Sequence, residues 1–144
     1  MFNNINILVV CMANFCRSPV AERLLDNFTN KKIHVGSAGL LNLKKDHMDV
    51  RSSKFLISHN IDANHQTKQI TNEMLKKSTL IYTIDNILIE KLRANHPLYH
   101  SKIKLIGNGI IEDPIKFSSE KYKENMETIL KASKHLAAKL NQMY

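Results

Sequence analysis

Ile7-Leu8-Val9-Val10-Cys11-Met12-Ala13-Asn14-Phe15-Cys16-Arg17-Ser18-Pro19-Val20-Ala21 is the stretch of this 144-residue chain whose reading decides the fold. From Asn6 to Val10 the residues form an aliphatic, β-branched run behind polar Asn3 and Asn4, the pattern of a parallel strand buried on both faces. Pro19 sits where the first turn of a helix tolerates it, and Val20, Ala21, Leu24, Leu25 and Phe28 recur at helical spacing. The local reading is strand, loop from Cys11 to Ser18, helix.

Outward from there the alternation continues. Ile33 to Val35 reads as a second strand closed by a Gly36-Ser37-Ala38-Gly39 turn, with a helix around Val50 to Ser58. Thr71 is placed to cap a short helix ending at Lys77, and Leu80 to Ile84 is a third strand. Asp85 ends that strand and starts a helix that His96-Pro97 stops, and Ile103 to Ile106 is the fourth strand. Ser119 to about Gln142 forms a long amphipathic helix with Tyr122, Met126, Ile129, Leu130, Ala137 and Leu140 on its buried side. Alternation with short joints predicts a four-stranded parallel sheet with helices on both faces, a three-layer sandwich of the flavodoxin-like or Rossmann-like kind, in a single domain spanning residues 1–144.

Composition narrows the function classes. Hydrophobic residues at 43% and charged residues at 24% fit a globular chain and exclude a disordered or fibrous one. The apolar run Ile7 to Val10 is too short for a secretion signal or a spanning helix, so a cytoplasmic location is expected. Lysine and arginine outnumber aspartate and glutamate 21 to 13, a net charge of +8. The lysine pairs 31–32, 44–45 and 76–77 are scattered without aromatic interleaving, which predicts a solvated basic surface and neither a nucleic-acid footprint nor stable membrane association. Two cysteines in one segment, Cys11 and Cys16, exclude a disulfide framework, and no nearby histidine spacing completes a metal site. The pair points instead to thiol chemistry.

In doubly wound sheets ligands bind beyond the carboxyl ends of the strands, and the Cys11–Ser18 loop lies at such an end, ahead of a helix N-terminus. Loop N–H groups and the positive end of the helix dipole suit a phosphate there, and the same field favours the nucleophilic thiolate form of a cysteine. Arg17 offers a planar fork for two phosphate oxygens, and Ser18 a hydrogen bond to sulfur. Singly, a cysteine after a strand is more often a small buried hydrophobe, but cysteine and arginine separated by five residues, followed by Ser-Pro between strand and helix, form a specific signature. Cys16 reads either as a residue packed under the loop or as a partner that traps oxidised Cys11 in a disulfide. Hydrolysis of a phenyl ester also needs a proton donor, since phenolate is a poor leaving group. Asp113, in Ile111-Glu112-Asp113-Pro114 after the last strand, is the candidate, with Glu112 as its neighbour and competitor.

These residues resemble the low molecular weight protein-tyrosine phosphatases, particularly the bacterial ones that accompany capsule and exopolysaccharide tyrosine kinases. The resemblance runs along essentially the whole chain, through Met1-Phe2-Asn3-Asn4, Ile7 to Cys11, Cys16-Arg17-Ser18-Pro19, Ala21 to Leu25, Ser37-Ala38-Gly39-Leu40 and Asp113-Pro114. It implies a two-step hydrolysis of phosphotyrosine, with no metal or organic cofactor, in which Cys11 is the nucleophile, Arg17 binds the phosphoryl group, Ser18 assists the thiolate and Asp113 is general acid, then base. The loop residues Met12, Ala13, Asn14, Phe15 and Cys16 would surround the phosphate, with Asn14 fixed by Ser18, Ser37 and His65. A phosphotyrosine protein such as a bacterial tyrosine kinase is the implied partner, and a monomer or weak dimer the expected state. Three positions depart from the family. Ala13 replaces a glycine, with strain of order 1 kcal/mol if that position takes positive φ. Ile115 stands where an aromatic residue usually lines the mouth, with Phe15 available to compensate. The rim from Leu41 to Asp49 is lysine-rich. The rival readings are an arsenate reductase of the same fold, which passes oxidation to later cysteines that this chain lacks, and a low-activity phosphoprotein-binding module.

Overall fold

The computed structural model describes residues 4–107 and 111–144, so that Met1 to Asn3, part of the family-like opening, lie outside the described residues. β1 (Ile5–Cys11) is the central strand because both its faces are apolar: Ile7, Val9 and Cys11 enter one core while Leu8 and Val10 enter the other. It pairs in parallel with β2 (Ile33–Gly39) on one edge and β3 (Leu80–Thr83) on the other, and β4 (Ile103–Leu105) pairs with β3, giving the order β2-β1-β3-β4. This is the four-stranded parallel sheet of a flavodoxin-like α/β fold.

One face is covered by α1 (Ser18–Phe28), α2 (Val50–Ser58) and α5 (Ser119–Met143), whose Leu24, Leu25, Phe55, Met126 and Ile129 pack with Ile7 and Val9. The other is covered by α3 (Asn72–Lys77) and α4 (Asn86–Asn95), which contribute Leu75 and Leu92 to a smaller core with Leu8, Val10 and Ile81. Helix starts follow capping chemistry: the side chains of Asp49, Thr71, Asp85 and Ser118 each accept an N–H from the first turn that follows. Tyr122, Met126, Ile129, Leu130, Ala137 and Leu140 of α5 are all buried.

The segment Gly36–Gly39 departs from expectation. It continues β2 in register with Leu8 to Cys11 instead of turning. Its small residues serve close approach, since a Cβ on Gly39 would lie 2.7 Å from Ala13 C and Asn14 N. A 3-10 turn at Pro97–Lys102 lies between α4 and β4 where only a helix stop was expected. Among the described residues, no helix is long and apolar enough to cross a membrane.

Candidate active site

β1 delivers Cys11 and α1 begins at Ser18, so the chain between must curl at the carboxyl edge of the sheet. The destinations of its backbone groups define its shape. Carbonyl oxygens face outward: Cys11 O accepts from Leu40 N (3.2 Å), Met12 O from Leu41 N (2.8 Å), Asn14 O from His65 Nε2 (2.9 Å), Phe15 O from Asp49 N (3.0 Å) and Cys16 O from Ser52 Oγ (2.8 Å). The N–H groups from Met12 to Ser18 donate to no protein group among the described residues. A loop with its acceptors spent outside and its donors unspent inside, ahead of a helix N-terminus, is a cradle for a tetrahedral oxyanion.

Asn14 is the fixing point. It is fully buried and is the loop residue in the left-handed region, φ 56°, which asparagine tolerates better than most side chains. Ala13 does not take positive φ, so the strain expected there does not arise. The Asn14 amide nitrogen donates to Ser18 Oγ (2.9 Å) and Ser37 Oγ (2.8 Å), while its oxygen accepts Lys68 N (3.0 Å). Each serine oxygen thereby accepts from Asn14 and keeps its own proton to give. Ser18 faces Cys11 Sγ at 2.9 Å, and Ser37 donates to Glu22 Oε1 at 2.5 Å. His65 reaches the main-chain carbonyl of Asn14 and not its side chain, and because a carbonyl only accepts, Nε2 carries the proton. Burial pulls the His65 imidazole below its usual range, although the bond to Asn14 opposes this.

A cavity of about 170 Å³ opens on this loop, lined by Cys11, Met12, Ala13, Phe15, Cys16, Arg17, Leu43, Asp113 and Ile115. Arg17 is 4% exposed, and its Nη1 donates to Asp85 Oδ2 (2.9 Å) and Ile111 O (2.7 Å). Its Nε and Nη2 have no protein partner among the described residues, which leaves a fork edge for an anion. Asp113, rather than Glu112, lines the cavity, with Oδ1 accepting the N–H of Ile115 at 3.2 Å. Glu112 is fixed elsewhere through its carbonyl, which accepts from Asn125 (2.8 Å). Ile115 and Leu43, 45% and 37% exposed, stand at the mouth. Phe15 tilts against the His47 ring with centroids 5.9 Å apart.

Cys16 is 6% exposed, and its Sγ lies 3.9 Å from Asp49 Oδ2. Burial, with help from the negative Asp49, pushes its thiol up to about 12. No group of three or more potential metal ligands occurs among the described residues.

The family model described as low molecular weight phosphotyrosine protein phosphatase matches residues 6–143. This chain is a member of that family. It is 33% identical over 146 residues to the low molecular weight protein-tyrosine-phosphatase Wzb of Escherichia coli strain K12, a match that spans 98% of this chain and 97% of the relative. Identity to the low molecular weight protein-tyrosine-phosphatase Etp of the same strain is 30% over 142 residues, 95% of each chain. Among solved structures, Vibrio vulnificus Wzb in complex with benzylphosphonate matches with TM-score 0.88 at 27% identity, over 95% of this chain and 99% of the other. The YwlE arginine phosphatase from Geobacillus stearothermophilus matches with TM-score 0.91 at 26% identity, over 96% and 94%.

Several residues that shape this low molecular weight phosphatase site carried no sequence signal of their own. Asp85, read as a helix start, does cap α4 through Oδ1 (2.8 Å to Leu88 N), and its other oxygen pairs with Arg17 from 68 residues away. Its place at the end of β3, on the same sheet edge as Cys11, was the available clue. Glu22, Gly39, Leu43 and Asp49 fell within segments read for the family resemblance or the pocket rim but were given no role of their own, and Arg51 had no clue.

Proposed function

We propose that this phosphatase hydrolyses phosphotyrosine in proteins by two displacements at phosphorus. Cys11 thiolate attacks, the bond to the phenolic oxygen breaks, and Asp113 gives its proton to that oxygen, leaving a phosphocysteine. Water then attacks the same phosphorus, Asp113 takes a proton from it, the S–P bond breaks, and inorganic phosphate leaves with Cys11 restored as thiolate. Arg17 and the N–H groups of Met12 to Ser18 hold the three non-bridging oxygens through both steps. Ser18 stabilises the sulfur anion, and Asn14, with Ser37 and His65, keeps the loop curled. One observation carries this reading: Cys11, Arg17 and Asp113 line one cavity over a ring of unspent N–H groups.

The walls favour an aromatic ester. Met12, Phe15, Leu43 and Ile115 offer apolar surface, whereas a phosphoarginine guanidinium would call for carboxylates, and Asp113 is the sole acid among the lining residues. The lack of cysteines after Cys16 argues against the relay of an arsenate reductase. By analogy with relatives named for tyrosine phosphatase activity, a bacterial tyrosine kinase is the proposed substrate, met in the cytoplasm by a monomer or weak dimer that binds neither nucleic acid nor a membrane stably.

Cys11→Ser is expected to abolish turnover of phosphotyrosyl peptides while vanadate still binds. Asp113→Asn should slow poorly activated aryl phosphates by about 10² to 10⁴ and spare activated ones. Turnover by Cys11→Ser, or a preference of the wild type for phosphoarginine over phosphotyrosine, would overturn the proposal.

A further inference from the structure

Arg51, the second residue of α2, lies outside the cavity lining, yet its guanidinium ties together the two segments that must meet there. Its Nε and Nη2 donate to the two oxygens of Asp49 at 3.1 and 3.0 Å, and Asp49 Oδ1 also accepts Arg51 N at 2.8 Å. From the other side Nη2 donates to Ile115 O (3.0 Å) and Nη1 to Phe117 O (3.2 Å). The guanidinium carbon sits 4.0 Å over the centre of the Tyr122 ring, and Tyr122 is held from α5 by a 2.5 Å bond to Ser52 Oγ. The frame is anchored to the phosphate loop because Asp49 N donates to Phe15 O. Burial raises the Asp49 carboxyl, but the bonds from Arg51 outweigh it and hold the group below its usual range, so the pair stays ionised.

We propose that Arg51 is a positioning residue for the general acid, fixing the Asp113 carboxylate against the phosphate loop through Ile115; this rests on the assignment of Asp113 as the acid. Ile115 is the pivot. Its carbonyl is held by Arg51, and its N–H fixes Asp113 Oδ1, which leaves the other oxygen to carry the proton toward the leaving group. On the opposite side of Asp113 the chain is tied by Arg17 to Ile111 O and by Asn125 to Glu112 O. Arg51 is therefore the side chain that sets the distal half of the loop. Only a planar fork reaches a carboxylate and two carbonyls at once, and a lysine ammonium has no such reach.

General acid catalysis depends on hydrogen-bond reach at the transition state, and displacement of about 1 Å can cost ~10² in rate. The test is kcat/KM across aryl phosphates of graded leaving-group acidity, for Arg51→Gln and Arg51→Lys in wild-type and Asp113→Asn backgrounds, with vanadate affinity measured in parallel. Loss of roughly 10- to 10²-fold for the poorest leaving group is expected in Arg51→Gln, shrinking toward none for the best. Arg51→Lys is expected to follow it in milder form, vanadate affinity to stay unchanged, and neither variant to lose anything further once Asp113 is Asn. Equal loss across the whole series, or losses that multiply with that of Asp113→Asn, would mean that Arg51 only supports the fold and would overturn the proposal. If Asp113→Asn were itself flat across the series, the acid assignment would fall and this proposal with it. If Asp113→Asn were graded and both Arg51 variants flat, the proposal alone would fall.

Discussion

Cys16 shows how a residue five positions from the candidate nucleophile acquires different chemistry. Both sulfurs are buried, but Cys11 lies against a serine hydroxyl while Cys16 lies against a carboxylate, which disfavours a second negative charge. With its thiol pushed up to about 12, Cys16 is protonated at neutral pH and a slow nucleophile. Trapping of a Cys11 sulfenic acid as a disulfide, one of the two roles the sequence left open for Cys16, then depends on a thiolate present in trace and growing about tenfold per pH unit. After limited peroxide, the activity that dithiothreitol recovers is expected to increase from pH 7 to 9 in the wild type and to stay low throughout in Cys16→Ser. Identical recovery in the two proteins at every pH would leave Cys16 with packing alone. The same scale explains why Ala13 carries no left-handed strain: the positive φ is taken by Asn14, so the family's glycine one position earlier answers no such demand in this chain.

β2 is the element whose sequence misleads most. Gly36-Ser37-Ala38-Gly39 has the composition of a turn, yet the segment is strand through Gly39 and pairs with Leu8 to Cys11. Its small side chains answer to the phosphate loop crossing beside it. Two glycines in one strand separate the explanations. A methyl group on Gly39 would sit 2.7 Å from the backbone of Ala13 and Asn14, whereas one on Gly36 would meet nothing within 4 Å. Gly39→Ala is expected to cost roughly 1 to 3 kcal/mol, as overpacking does, and to weaken vanadate binding by shifting the loop. Gly36→Ala should change stability by no more than about 1 kcal/mol, in the stabilising direction, and leave binding alone. Urea midpoints and vanadate titrations of both variants check this, and equal effects would refute the close-approach account. The strands and helices with strong periodicity, β1 and α5 above all, were legible because one face or both must be buried. Of β2 only Ile33 to Val35 was legible; Gly36 to Gly39 was not, because its reason lies in a loop more than twenty residues earlier.

Across the whole molecule, the chemistry written in one stretch, from Cys11 to Ser18, was legible from the residues themselves, and it was this stretch that singled out Asp113 and, through the family resemblance, Ser37 and His65. Asp85, Glu22, Asp49 and Arg51 were hidden because their partners arrive from distant elements, and only the assembled sheet edge makes a helix cap into the counter-ion of Arg17. The same assembly ties stability to pH through groups that hold the loop. Folding keeps His65 neutral below its usual 6.5, so the unfolded chain takes up that proton more readily. Stability attached to neutral His65 is therefore complete above pH 6.5 and is lost as pH falls from there toward the lower folded value. Asp49 acts in the same direction further down, its contribution present above the usual 3.8 and lost below it. The remaining histidines add a background, which a matched variant removes. His65→Gln keeps an N–H to offer Asn14 O and cannot titrate. The thermal midpoint of the wild type is expected to fall between pH 7.5 and 5 more steeply than that of His65→Gln, the two curves converging or crossing in the acid range. Parallel curves would show that His65 titrates alike folded and unfolded, and that the bond from its Nε2 to the loop carries no share of the acid sensitivity.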